Sequence, residues 1–325
     1  MIEEIRRNLY RIEIPLPDSP LKYLNAYVIR SKDRHLIVDT GLNRKECLEA
    51  MQTGLEELDI DLAQTDFFIT HLHADHFGLV GKLVHSTGKI FFNRPETELI
   101  EAKIGWDPMV AYAKKNGFPE NELRLALEAH PGHKFFSDWI PDLNVLSDAD
   151  EIQVGEYGFQ CVSTPGHSMG HMCLYEPTQK ILIAGDHILI DITPNIQCWS
   201  SNINPLKNYL LSLDKVSKLE IVLTLPGHRR IIKDHMARIK ELKEHHHRRL
   251  SEVVSILKKG PQHAFQVASR MTWDLKADSW EDFPRAQKWF ATGEALAHLR
   301  YLEEEGTIRP DDQNSVTRFA LSKAP

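Results

Sequence analysis

Thr70-His71-Leu72-His73-Ala74-Asp75-His76 puts three histidines and an aspartate within six residues, at the end of the apolar run DFFIT (66–70). In an extended segment the side chains at i and i+2 point the same way, so His71 and His73 are placed to share one metal ion. Asp75 and His76 come next, on the turn into a helix, within reach of a second ion close by. Imidazole and carboxylate are the ligands that zinc and neighbouring first-row metals favour. Isolated loop histidines are ordinarily solvated. Four metal-type side chains gathered behind one strand call for a different explanation.

Three later segments repeat the pattern of a strand that ends on a metal-type side chain. FQCVSTPGH (159–167) ends at His167, ILIAGD (181–186) at Asp186 and EIVLTLPGH (220–228) at His228. Upstream, LYRIEIPL (9–16), NAYVIR (25–30) and HLIVDT (35–40) are strand-like runs bounded by Pro, Asp and Gly. ECLEAMQTGLEEL (46–58) and GLVGKLVHSTG (78–88) read as helices, and KIFFN (89–93) as the next strand. Such alternation predicts α/β layering. A helical insertion is expected over about 95–141, with His130, His133, Trp106 and Trp139 nearby.

From Asp234 the chain turns predominantly helical and closes on TIRP, a DDQN turn and SVTRFAL. Three helices followed by a hairpin form a winged-helix arrangement. The expected division is a catalytic domain over 1–235 and a helical winged-helix domain over 236–325. His245, His246 and His247 are consecutive on a helix and project about 100° apart, so they cannot all face one ion.

The chain has 325 residues, 39 Lys+Arg, 46 Asp+Glu and a formal charge of −7, which suits one large domain with an appendage. Mild acidity argues against a surface built throughout for nucleic acid. No run approaches the ~20 apolar residues of a membrane span. No secretory signal is visible, and the four cysteines are widely spaced with no Cys-x-x-Cys pair, so a cytoplasmic location is expected.

Together, T-H-L-H-A-D-H, T-P-G-H-S-M-G-H, A-G-D and L-P-G-H resemble the metallo-β-lactamase superfamily, over about residues 8 to 232. The resemblance implies a four-layer αββα sandwich with metals at one edge of the two sheets. It implies that His71, His73 and His167 hold a first metal, that Asp75, His76 and His228 hold a second, and that Asp186 bridges both. Two ions ~3.5–4 Å apart can hold a bridging hydroxide at neutral pH. Asp75 is the candidate catalytic group, orienting that hydroxide and moving a proton toward the leaving group. Asp39, in IVDTG, matches a position where family members use Asp to orient the ligand loop from behind; a cap or turn role is its alternative. His171 and His187 flank candidate ligands and are placed to support them.

Asp186 and the complete Asp75-His76 pair are unlike the cysteine-bearing antibiotic-degrading members. The set looks like that of the hydroxyacylglutathione hydrolase, lactonase and nuclease branches. His73 stands where flavodiiron reductases have glutamate. The C-terminal region resembles the winged-helix appendage of a branch that includes a mitochondrial endoribonuclease. From residue 235 onward fifteen Lys/Arg against thirteen Asp/Glu leave only +2, and Trp273, Trp280, Trp289 and Phe290 read as core. The leading expectation is a binuclear hydrolase with two divalent ions, zinc ahead of iron or manganese, acting on a small ester, thioester or lactone. Single-stranded RNA is the alternative substrate, motivated by Arg248, Arg249, Lys258 and Lys259 on the winged helix. A nucleic-acid-binding regulator ranks last. The helical insertion offers a surface for a homodimer.

Overall fold

Continuous apolar runs bury both faces of the central strands, since successive side chains point to opposite sides, and this sets the layering. The computed structural model describes residues 1–135, 142–274, 277–311 and 315–322. The first sheet contains β1 (Ile2–Arg6), β2 (Leu9–Pro15), β3 (Tyr23–Ile29), β4 (His35–Val38), β5 (Thr65–Phe68), β6 (Ile90–Asn93) and β7 (Asn144–Leu146) in that spatial order. It is antiparallel from β1 to β4 and parallel from β4 to β7. The second contains β8 (Glu151–Val154), β9 (Tyr157–Ser163), β10 (Met172–Glu176), β11 (Ile181–Gly185) and β12 (Leu223–Pro226), ordered β12-β11-β10-β9-β8.

Tyr27, Ile29, Leu36, Val38 and Phe68 of the first sheet meet Phe159, Cys161, Leu174, Ile183 and Leu225 of the second in one apolar layer. The intervening residues Ala26, Val28, Ile37 and Phe67 face the other way, onto α1 (Lys45–Glu57). That helix buries Cys47, Met51, Gly54 and Leu55, the i, i+4, i+7, i+8 stripe that a helix on a sheet requires. Two one-turn helices follow, α2 (Ala74–Phe77) and α3 (Val80–Leu83). The long helix expected over 78–88 is cut to α3, because glycines weaken the run and Val84 turns extended at ψ 129°.

The insertion contains α4 (Arg94–Glu101), α5 (Asp107–Lys115), α6 (Glu120–Ala129) and the single turn α7 (Pro131–Lys134). Its expected end near 141, with Trp139, lies outside the described residues, as do residues 312–314 of the expected DDQN turn. On the outer face of the second sheet, Cys173, Tyr175, Leu182 and Ala184 pack under α8 (Pro205–Val216) and α9 (His235–Leu257). The αββα sandwich is thereby complete. α10 (Ala264–Ala268), α11 (Arg285–Glu304) and the hairpin of β13 (Ile308–Asp311) with β14 (Arg318–Leu321) finish the chain. Leu242, Val253, Leu296, Leu299 and Phe319 join the same apolar cluster as the outer face of the second sheet. Among the described residues no helix is long and apolar enough to cross a membrane.

β4, β5, β9, β11 and β12 all end at one edge of the sandwich, where parallel neighbours bring their carboxyl ends together. Ligand-type side chains follow each of these five strands. Replacing Phe159, which has 0% exposure between the sheets, by alanine is expected to cost about 3–5 kcal/mol in urea unfolding. Val222→Ala, at a position 54% exposed, should change stability by less than about 0.5 kcal/mol.

Candidate metal centre

All seven strand-end side chains come together. His73 Nδ1 lies 2.9 Å from His71 Nε2 and 3.0 Å from His167 Nε2. Three ring nitrogens converging so closely have more lone pairs than protons can bridge well. Ligands set tetrahedrally at ~2.0–2.1 Å around zinc stand roughly 3.3 Å apart, near these spacings. A second group gathers Asp75, His76 and His228, with His228 Nε2 3.3 Å from Asp75 Oδ2. Asp186 lies between the groups: Oδ1 is 3.6 Å from both His76 Nε2 and His228 Nε2, and Oδ2 is 3.5 Å from His167 Nε2.

His76 Nε2, His228 Nε2 and Asp186 Oδ1 are buried and have no hydrogen-bond partner among the described residues. A buried polar atom without a partner costs free energy. Three such atoms aimed at one space fit a divalent cation, and the His/Asp donor set is of the right chemistry to hold one.

The far side of every imidazole except that of His73 is held. His76 Nδ1 bonds Asp39 Oδ2 at 2.8 Å, His167 Nδ1 the Asn195 carbonyl at 2.8 Å and His228 Nδ1 the Tyr23 carbonyl at 2.8 Å. His71 Nδ1 meets Thr70 Oγ1 at 2.9 Å, and Thr70 donates its N–H and hydroxyl to Asp39. Asp39 therefore serves two histidines, one directly and one through Thr70, and its left-handed φ of 61° turns the carboxylate inward. Such partners fix the tautomer and aim of a ligating ring. Asn25 fastens the two sheets at this edge by donating Nδ2 to the carbonyls of Pro226 and Arg229, while Tyr27 Oη donates to Pro226. A Cβ at Gly227 would stand 2.6 Å from Asp186 Oδ1, so that strand end must be glycine for the carboxylate to enter.

The electrostatics divide the site. Burial, then the neighbouring imidazoles, holds His71 well below the ordinary histidine range, and burial together with His167 brings His73 down to about 3. At His76 and His228 burial opposes the charged form, but Asp186 and Asp75 outweigh it at both, with Asp39 adding at His76, and both are raised. Asp186 is buried and Asp75 half-buried, which opposes ionisation, yet the facing histidines carry both below the usual carboxylate range.

His187 is adjacent in sequence, but among the described residues its ring bonds none of the seven side chains, and it lies 6.1 Å from the ring of His171. His171 takes the supporting place, accepting the Asp186 N–H at 3.0 Å while its Nδ1 meets Thr164 Oγ1 at 2.8 Å. The second Gly-His of T-P-G-H-S-M-G-H was the signal for it. Thr70, the first residue of the motif, links Asp39 to His71. His246 is buried against His298 of α11, Nδ1 to Nε2 3.2 Å, well away from the cluster. His130 contacts Trp106 and Phe290, with ring centroids 4.8 and 5.0 Å away.

In the metal-free site the facing carboxylates favour the protonated forms of His76 and His228, and a cation must compete with those protons. Loading with zinc at pH 7 is therefore expected to release protons, and apparent affinity to fall as pH drops. Calorimetry in two buffers of different ionisation heat measures this; binding without proton release would contradict it.

The model of the metallo-beta-lactamase superfamily matches residues 21–228, and that of a metallo-beta-lactamase-like C-terminal domain matches residues 250–322. A Bacillus subtilis protein named "Probable metallo-hydrolase YqjP" is 23% identical, covering 92% of this chain and 93% of its own. Human acyl-coenzyme A thioesterase MBLAC2 is 27% identical, covering 52% of this chain and 61% of its own. The crystal structure of a metallo-beta-lactamase family protein from Thermus thermophilus superposes with a TM-score of 0.82 at 27% identity, over 98% of this chain and 100% of that one. With its fold, its strand-end His/Asp cluster and these relatives in agreement, the chain belongs to the metallo-β-lactamase superfamily and is a metallo-hydrolase.

Proposed function

We propose that this chain is a binuclear hydrolase of a small ester, thioester or lactone, with a thioester the first to test. The observation that carries the reading is Asp186, whose two oxygens face different histidine groups. In this reading His71, His73 and His167 hold one ion, Asp75, His76 and His228 the other, and Asp186 lies between. Zinc is the first choice, with iron and manganese accepted by the same donors. Such a pair supplies a nucleophile at neutral pH and polarises the scissile carbonyl.

The chain's own groups do the remaining work. Asp75 stays ionised because His76 and His228 outweigh its burial, so its carboxylate is available to take a proton from the attacking water and pass it to the leaving group. Asp39 and the Tyr23 and Asn195 carbonyls keep the imidazoles aimed. The insertion and C-terminal region share one apolar cluster, in which Trp106, Met109, Val110 and Leu127 pack with Trp289, Phe290 and Trp199. The named activity of the human relative, an acyl-coenzyme A thioesterase, supports the thioester.

The C-terminal unit, with its helix order and hairpin, is best read as a winged helix used for packing. Arg249, one of the cations that motivated an RNA substrate, is taken up internally by the Trp273 ring, the Thr272 carbonyl, Glu252 and Glu294. Cys198 N–H donates to the Gly293 carbonyl of α11, and Trp199 stacks on Trp289 at 3.8 Å. The loop that holds His167 through Asn195 is thereby fastened to α11. The four cysteines, free and buried, support a reducing, cytoplasmic setting.

Metal analysis is expected to find two ions per chain, and a thioester, lactone and aryl-ester panel to find turnover. Asp75→Asn should lower kcat by about 10²–10⁴-fold. An inert panel alongside metal-dependent cleavage of labelled RNA would replace this reading with the phosphodiesterase. At Gly293 an added Cβ would meet the Trp199 ring at 2.9–3.0 Å. Gly293→Val should therefore displace that loop and weaken zinc binding, as read by chelator competition, while leaving far-UV circular dichroism intact.

A further inference from the structure

Glu96 lies in the first turn of α4 with 2% exposure, and among the described residues no cationic side chain pairs with it. An unpaired carboxylate is costly to bury and needs hydrogen-bond donors. Asn93 caps the helix by accepting the Glu96 N–H at 2.9 Å. In a capping box, a glutamate three residues past the cap would fold back onto the cap's own N–H. Here it turns away from the helix. Oε2 accepts the Leu72 N–H at 2.8 Å and Asn93 Nδ2 at 2.8 Å, and Oε1 accepts the Gly170 N–H at 3.4 Å.

Those backbone donors have a specific location. Leu72 stands between His71 and His73, and Gly170 between His167 and His171. One carboxylate therefore joins the two loops that supply all three nitrogens of the first histidine group. The approach is close: a Cβ on Gly170 would fall 1.8 Å from Asn93 Oδ1 and 2.9 Å from Glu96 Cγ. Asn93, itself 1% exposed, braces Glu96 and the helix start together.

We propose that Glu96 is a positioning residue for the metal centre, clamping the His71–His73 backbone to the His167–His171 loop so that His71, His73 and His167 share one ion. This rests on the reading of that triad as a metal site. The clamp needs two acceptor oxygens. In Glu96→Gln one becomes an NH₂ donor, and whichever way the amide lies, one backbone N–H loses its acceptor.

The test loads the full chain with zinc and follows chelator competition, with the visible spectrum of the cobalt(II)-loaded protein reporting coordination. Glu96→Gln should keep its far-UV circular dichroism but bind one of the two ions about 10–100-fold more weakly, with an altered cobalt spectrum. Glu294→Gln removes another buried carboxylate, one that faces Arg249, and serves as the control. It should lower thermal stability without changing either affinity. Gly170→Ala attacks the same joint from the other loop and should reproduce the loss at one ion. If Glu96→Gln fails to fold, Gly170→Ala decides. Wild-type affinity for both ions in Glu96→Gln, or in Gly170→Ala when it decides, overturns the clamp alone. A wild-type chain that binds no divalent ion overturns the metal reading and the clamp together.

Discussion

A carboxylate set among buried imidazoles is the constraint around which this molecule is built. Asp186 is 5% exposed, faces His76, His228 and His167 at 3.5–3.6 Å, and leaves Oδ1 without a hydrogen-bond partner among the described residues. Such a group is tolerated only where opposite charge meets it, whether protons on His76 and His228 or cations. No local element can assemble that environment. It takes the carboxyl ends of β4, β5, β9, β11 and β12, aligned by the parallel pairs β4–β5 and β11–β12 and, for β9, by the antiparallel β10 between it and β11, and held across the sheets by Asn25 and Tyr27.

Around that cluster the fold supplies rigidity rather than more donors. Each histidine presents one nitrogen inward and, except for His73, has the other held by Asp39, Thr70 or a backbone carbonyl. Support also arrives from regions that look peripheral in the chain. α4 sends Glu96 under two ligand loops, and α11 holds the loop that carries Asn195. The insertion and the C-terminal helices meet over Trp289, Phe118 and Phe265, with Lys288 paired to Glu122 at 2.8 Å.

The seven side chains stand out in residue order because each lies at, or within one turn of helix after, the end of an apolar strand. Strand–helix alternation pointed to α/β layering, and the structure sets Tyr27 and Val28, or Phe67 and Phe68, against different layers because successive strand residues face opposite ways. The helix expected over 78–88 was shortened because periodicity cannot see where glycine and local packing release the chain. His187 and His171 are equally near a ligand in sequence, yet only His171 reaches Asp186, since neighbours in sequence need not point the same way.

Strand order and motif spacing therefore determined the layers and the chemistry of the centre, both being consequences of local periodicity and residue type. What tertiary structure decided was which groups stand behind the ligands. Glu96 reads in sequence as an ordinary helix-start acid, Arg249 as a free surface cation and Gly293 as a weak point in a helix. Each has its role from partners distant in the chain, Leu72 and Gly170 for Glu96, Thr272 and Glu294 for Arg249, and Trp199 for Gly293. Contacts at such separations are set by how layers pack, and packing is a property of the whole chain that no short window of residues carries.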